Sequence, residues 1–203
     1  MSIITTRITI RVQRTYLVAA GFNAPFFQYF IPDTPTRRQW WDEAWTMGLE
    51  NPISRTRVAI DTQKDNKVVA FSRWLTPQAD GNLETKWPEF KEDDWDMNLV
   101  EKFFGGMEEN RHLLMGSRPH WCKEIDHAAS RNLLTQKRTV LEMLGTHEDY
   151  QKQGIGAELI SWGTKQADEA GVETYLDGTE VGQPYYKKHH NFKYGKDIEI
   201  PDR

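Results

Sequence analysis

Residues 141–171 read L-E-M-L-G-T-H-E-D-Y-Q-K-Q-G-I-G-A-E-L-I-S-W-G-T-K-Q-A-D-E-A-G, and the period of the apolar residues changes twice within them. Val140 to Thr146 is a short apolar run with β-branched ends, the composition of a buried strand. His147 to Gln153 is polar and carries turn formers. From there the apolar residues fall at Ile155, Leu159, Ile160, Trp162, Gly163, Ala167 and Ala170, the stripe of an amphipathic helix. Gly171 stands where a helix takes its left-handed closing residue. The unit is therefore strand, glycine turn, helix. Such a turn leaves backbone N–H groups projecting from the helix N-terminus without intrahelical partners. With the helix dipole they make an anion site, for which phosphate is the usual guest.

The kind of phosphate ligand is narrowed by two patterns that fail. No G-x-x-x-x-G-K-[ST] is present, and Gly154-Ile155-Gly156 lacks the third glycine of a dinucleotide fingerprint, which would fall at Leu159. What stands is Gln151-Lys152-Gln153-Gly154-Ile155-Gly156, a Q/R-x-x-G-x-G/A pattern, approached by H-E-D-Y from His147. With the apolar strand before it and the helix after it, this stretch resembles the acetyl-CoA signature of the GNAT superfamily of N-acetyltransferases. The resemblance implies an α/β fold with a mixed, largely antiparallel central sheet, flanked by helices and containing a splayed central strand pair. It implies acetyl-CoA as cosubstrate. The amides of Gln151, Lys152, Gln153, Gly154, Ile155 and Gly156 would hold the pyrophosphate, and the backbone of Leu144, Gly145 and Thr146 would meet the pantetheine arm. The likeness is specific from Val140 to Phe192. Within the superfamily the chain resembles the fungal and bacterial branch that contains puromycin N-acetyltransferase, whose acceptors are small amines.

Composition agrees with such a protein. At 203 residues the chain suits one domain, residues 1–203, with a sizeable core. No run of 18 apolar residues marks a membrane span, and the N-terminus has no signal-peptide pattern. The single cysteine, Cys122, excludes an internal disulfide and a multi-cysteine zinc site, and it fits a cytoplasmic protein. His112, His120 and His127 are too dispersed for a metal site, so none is expected. A net charge of −4 without a basic stripe argues against nucleic acid and for a small-molecule partner. Either a monomer or a homodimer is compatible with the sequence.

Elsewhere the patterns predict a strand over Ile3 to Val12 and helices over Tyr16 to Ala24 and Thr36 to Leu49, the latter capped by Thr36. Thr56 to Ile60 and Lys67 to Leu75 read as a hairpin turning at Asp65-Asn66. Residues 76–120 form an insertion on the acceptor side, with a helix from Trp95 to Met115 interrupted at Gly105-Gly106. A helix over Asp126 to Gln136, a strand over Glu173 to Leu176, a helix over Gly182 to His190 and a strand over Phe192 to Ile200 complete the reading.

Acetyl transfer to an amine needs a polarised carbonyl, a proton acceptor for the ammonium and a proton donor for the thiolate. Glu142 is the acceptor candidate. An acid within V-L-E-M-L is out of place in a buried strand, and alternation puts Val140, Glu142, Leu144 and Thr146 on one face. Two roles are open for it, base or substrate anchor on one hand and salt bridge to an arginine such as Arg73 or Arg138 on the other. The donor candidate is a tyrosine, by resemblance to the family's Y-x-x-x-G-F ending. Here the chain reads Y-Y-K-K-H-H-N-F from Tyr185 to Phe192, with Asn191 in place of the glycine and one extra residue after Tyr186. Tyr186 is preferred and Tyr185 stays open. The shifted spacing also admits a GNAT-fold protein that binds CoA without turnover. Trp40, Trp41, Trp74, Trp87, Trp95, Phe103 and Phe104, together with Glu89, Glu92, Asp93 and Asp94, supply either an amine-binding wall or an ordinary core beside an acidic loop.

Overall fold

The computed structural model describes residues 3–7, 29–78, 86–91, 93–116 and 139–200. One five-stranded sheet runs in the order β1 (Ile3–Arg7), β2 (Ser54–Asp61), β3 (Lys67–Leu75), β4 (Thr139–Thr146) and β5 (Thr174–Leu176). The first four strands pair antiparallel, and β5 joins β4 in parallel. This is the mixed, largely antiparallel sheet that the resemblance implies. The β2–β3 hairpin turns at Asp65 and Asn66, both at positive φ, which short polar side chains tolerate.

Helix α1 (Pro35–Glu50) begins at Thr34, whose Oγ1 accepts the N–H of Arg37 at 3.3 Å. The cap lies upstream of the expected Thr36 because Pro35, with no N–H to leave unsatisfied, takes the first helical position. Trp40, Trp41, Ala44 and Trp45 of α1 pack in one cluster with Val58, Phe71 and Met143 of the sheet. A continuous helical run, α2, follows through Met97–Val100, a π-helical Glu101–Gly105, Gly106–Arg111 and a π-helical His112–Gly116. Gly105 and Gly106 stay helical, so the expected interruption becomes a junction of π and α turns.

On the opposite face, α3 (Ile155–Glu169) buries Ile155 and Leu159 against Ala59, Val69 and Ala70, and Ile160 against Trp74 and Leu141. It ends as predicted at Gly171, φ 64°, with Val172 N–H returning to the Ala167 carbonyl at 2.9 Å. Helix α4 (Gln183–His189) closes the order of elements. The strand expected over Phe192 to Ile200 is absent. That stretch lies against α2 instead: Asn110 Nδ2 donates to the Asp197 carbonyl at 3.1 Å, and Lys196 Nζ lies 3.5 Å from Glu109 Oε1. Side chains of a helix offer no backbone ladder, so the segment stays irregular. The helices expected over Tyr16 to Ala24 and Asp126 to Gln136 fall outside the described residues.

Candidate active site

The turn between β4 and α3 has the conformation an anion site needs. Lys152 and Gly154 sit at φ 58° and 83°, and Gly154 caps α3. The first N–H to bond inside the helix is that of Glu158, to the Gly154 carbonyl at 3.0 Å. Those of Ile155, Gly156 and Ala157 precede it and point out of the N-terminus. The turn is tied down from behind. Gln151 Nε2 donates to the Thr146 carbonyl at 3.2 Å and Gln153 Nε2 to the Asp149 carbonyl at 3.0 Å. Tyr150 hydroxyl donates to Asp61 Oδ2 at 2.8 Å, both residues being buried, and that bond holds the Asp61 carboxyl below the usual carboxylate range. Gly156 faces β4, where a Cβ would stand 3.6 Å from Thr146 Oγ1.

Beside this turn the sheet opens. β4 and β5 face each other at Thr139–Thr174, Val140–Tyr175 and Leu141–Leu176, and there the pairing stops while β4 continues to Thr146. The backbone edge of Leu144, Gly145 and Thr146 that faces away from β3 therefore has no strand opposite it among the described residues. A cleft of about 2230 Å³ passes through the opening and is lined from both faces of the sheet. Leu144, Leu176 and Tyr186 line it, as do Trp41, Glu142 and Phe103. That volume exceeds a small-molecule pocket, typically about 300–1,000 Å³.

A bulge decides where Glu142 points. Arg73 faces Met143 and Trp74 faces Leu141, so Glu142 is the extra residue in β4. Strict alternation is thereby lost. Leu144 packs with Tyr150, Ile155 and Leu159 beneath α3, whereas Glu142 turns to Arg73 on the α1 side. The predicted sharing of one face by Val140, Glu142, Leu144 and Thr146 does not occur, because one added residue reverses the alternation of everything after it. Arg73 Nε lies 2.6 Å from Glu142 Oε2, and both side chains are buried. The Arg73 guanidinium also donates from Nη1 to the Ala44 carbonyl at 3.2 Å and lies over the rings of Trp45 and Trp87. Of the arginines named from sequence, Arg73 is the partner; Arg138 lies outside the described residues.

The two tyrosines separate cleanly. Tyr186 packs with Trp74, Leu141, Leu176 and Phe192, and burial pushes its phenol up to about 12. Tyr185 turns outward, its hydroxyl 3.3 Å from His190 Nε2 and its ring beside both histidines. Asn191 adopts φ 59°, as a substitute for glycine must. Phe192 N–H reaches back to the Tyr186 carbonyl at 3.3 Å. The extra residue is thus absorbed in a wider closing turn rather than by rotating the helix.

The aromatic residues divide between core and cleft. Phe30, Trp40 and Trp95 are buried in mutual edge and tilted contacts, while Trp41, Trp87, Phe103 and Phe104 also line the cleft. Of the acids expected beside them, Asp94 is tied to an arginine instead, and Glu92 lies outside the described residues. Asp94 pairs with Arg37 at 3.2 Å, and Asp96 accepts the Leu99 N–H to start α2. Sequence reasoning missed Asp177, the residue after β5. It lines the cleft, accepts the Tyr175 hydroxyl at 2.7 Å and lies 3.4 Å from Arg111 Nη2. An acid directly after a three-residue strand carries no local signal, and Arg111 is remote in sequence.

A family model for the acetyltransferase (GNAT) family matches residues 22–192. The chain belongs to that family. Solved structures agree on the fold. One is a Clostridium acetobutylicum protein described as a predicted acetyltransferase and crystallised with acetyl-CoA, 11% identical over 98% of this chain and 96% of that one, TM-score 0.55. Another is an acetyltransferase of Trypanosoma brucei, 12% identical over the whole of both chains, TM-score 0.50. A search of curated proteins returned no match. Membership of the GNAT family supports acetyl transfer in general for this chain. No helix among the described residues is long and apolar enough to cross a membrane, and no group of three or more metal-ligating side chains occurs among them.

Proposed function

We propose that this GNAT protein transfers the acetyl group of acetyl-CoA directly to the amine of a small molecule. The observation that carries the reading is the parting of β4 and β5 after Leu141 and Leu176, beside the open N–H groups of Ile155, Gly156 and Ala157. CoA lies with its pyrophosphate on the turn from Gln151 to Gly156 and its pantetheine along Leu144, Gly145 and Thr146. The acceptor enters past Trp41, Trp87 and Phe103, aromatic surface suited to an amine. The sequence likeness to the branch that contains puromycin N-acetyltransferase points the same way.

The chemistry follows from the side chains in the cleft. Glu142 takes a proton from the ammonium, and the freed lone pair attacks the thioester carbonyl. The C–N bond forms and the C–S bond breaks. Tyr186 gives its hydroxyl proton to the departing thiolate. The nitrogen loses its second proton as the amide forms, which restores the Tyr186 hydroxyl, and Glu142 releases the first proton to solvent. The close Arg73–Glu142 pair favours a second reading, in which Glu142 is structural and the protein binds CoA without turnover. A panel of primary amines incubated with acetyl-CoA, read by free thiol, separates the two. Thiol release with an amine supports transfer; acetyl-CoA binding by calorimetry with no thiol release from any amine supports binding alone.

A further inference from the structure

Leu141 and Leu176 are the last facing residues of two parallel strands, so the next residue on each stands at the mouth of the gap. Those residues are Glu142 and Asp177, each held by a buried arginine, Arg73 and Arg111. The reaction as proposed above uses only the first. We propose that Asp177 binds the ammonium of the acceptor, making alkylamines that are charged at neutral pH the preferred substrates. This rests on the transferase reading and adds the acceptor's charge to it.

The surroundings suit that task. Asp177 lines the cleft with Tyr186 and Leu176. Its Oδ1 accepts one hydrogen bond from Tyr175, and its Oδ2 has only the longer Arg111 contact at 3.4 Å. A carboxylate offers about four lone-pair sites, so it retains capacity for a cation entering from the cleft. Its desolvation raises its pKa, as burial does for any carboxyl group, and an arriving cation offsets that cost. Asp177 thus recognises the charged amine, while Glu142, on the other strand, receives its proton.

The test compares two primary amines that each carry one phenyl ring, 2-phenylethylamine, which is an ammonium at neutral pH, and aniline, which is neutral. Each is titrated calorimetrically into the protein saturated with CoA, so binding is read without turnover. The intact protein is expected to favour 2-phenylethylamine. Asp177→Asn should weaken it about 10- to 100-fold, the size of a lost charge-assisted hydrogen bond, and leave aniline and acetyl-CoA affinity unchanged. If the buried Arg111 prevents that variant from folding, Arg111→Met with Asp177→Asn removes both charges together, a change that buried pairs tolerate. A folded variant that still binds 2-phenylethylamine as before overturns the proposal. Loss of both probes alike makes Asp177 structural and also overturns it. Ammonium binding that depends on Asp177, in a protein that acetylates no amine, keeps Asp177 as the ammonium site but overturns the transferase reading and the claim about substrates with it.

Discussion

Gly48 of α1 lies directly against the Arg73 guanidinium, and a Cβ at that position would overlap its Nη1 and Cζ. The glycine weakens the end of its helix, yet only a residue without a side chain leaves room for Arg73 to reach Glu142. Gly48→Ala is therefore expected to lower the melting temperature although alanine is the better helix former. Overpacking costs about 1–3 kcal/mol against roughly 1 kcal/mol of helix propensity. A raised melting temperature would show that Arg73 simply slides aside.

Gly156 separates ligand effects from folding effects. A Cβ there meets Thr146 Oγ1 at an ordinary 3.6 Å, and the residue is helical, so Gly156→Ala should fold normally. If the pyrophosphate sits on this turn, Gly156→Glu brings a carboxylate against it and should abolish acetyl-CoA binding. Unchanged affinity by calorimetry in the folded glutamate variant would remove the turn from the site.

Glu142→Gln tests the base. The rate should fall by roughly 10²-fold or more, mainly below the pH at which the amine deprotonates unaided, since above it no acceptor is needed. A uniform loss across pH with a lower melting temperature would instead make Glu142 the structural partner of Arg73.

Tyr186→Phe keeps the ring that packs on Leu141, Leu176 and Phe192 but deletes the proton. Acetyl-CoA affinity should hold while turnover falls by roughly 10²-fold. Tyr185→Phe, on the outward tyrosine, is the control and should turn over normally; the reverse result would move the acid to Tyr185.

The Tyr186 phenol also links pH to stability. In the folded chain it ionises near 12 rather than near 10, because burial disfavours the phenolate. Its contribution is complete below about pH 10 and is lost as pH rises toward 12, because there the unfolded chain releases the proton first. Tyr186→Phe should flatten that part of a melting-temperature profile; an unaltered alkaline slope would mean that other groups govern it.

The strand, turn and helix from Val140 to Gly171, the left-handed positions at Asp65, Asn66, Asn191 and Gly171, and the family were all legible in the sequence. These are local matters. Period, turn chemistry and glycine placement act over a few residues, and each leaves a mark in composition. The sequence also brought Glu142 forward, as an acid out of place in a strand, and Tyr186, through the resemblance to the family's Y-x-x-x-G-F ending. What those residues touch depends on the packed fold. The bulge at Glu142 depends on how β3 and β4 register, and it reverses the faces that simple alternation assigns. The pairing of Glu142 with Arg73 needs the space left by Gly48 on a third element. Asp177 joins Arg111 and Tyr175 only because a parallel strand brings β5 beside β4. Phe192 to Ile200 has the composition of a strand, yet it lies on α2, because a strand needs a neighbouring ladder and no single stretch of sequence contains its neighbour.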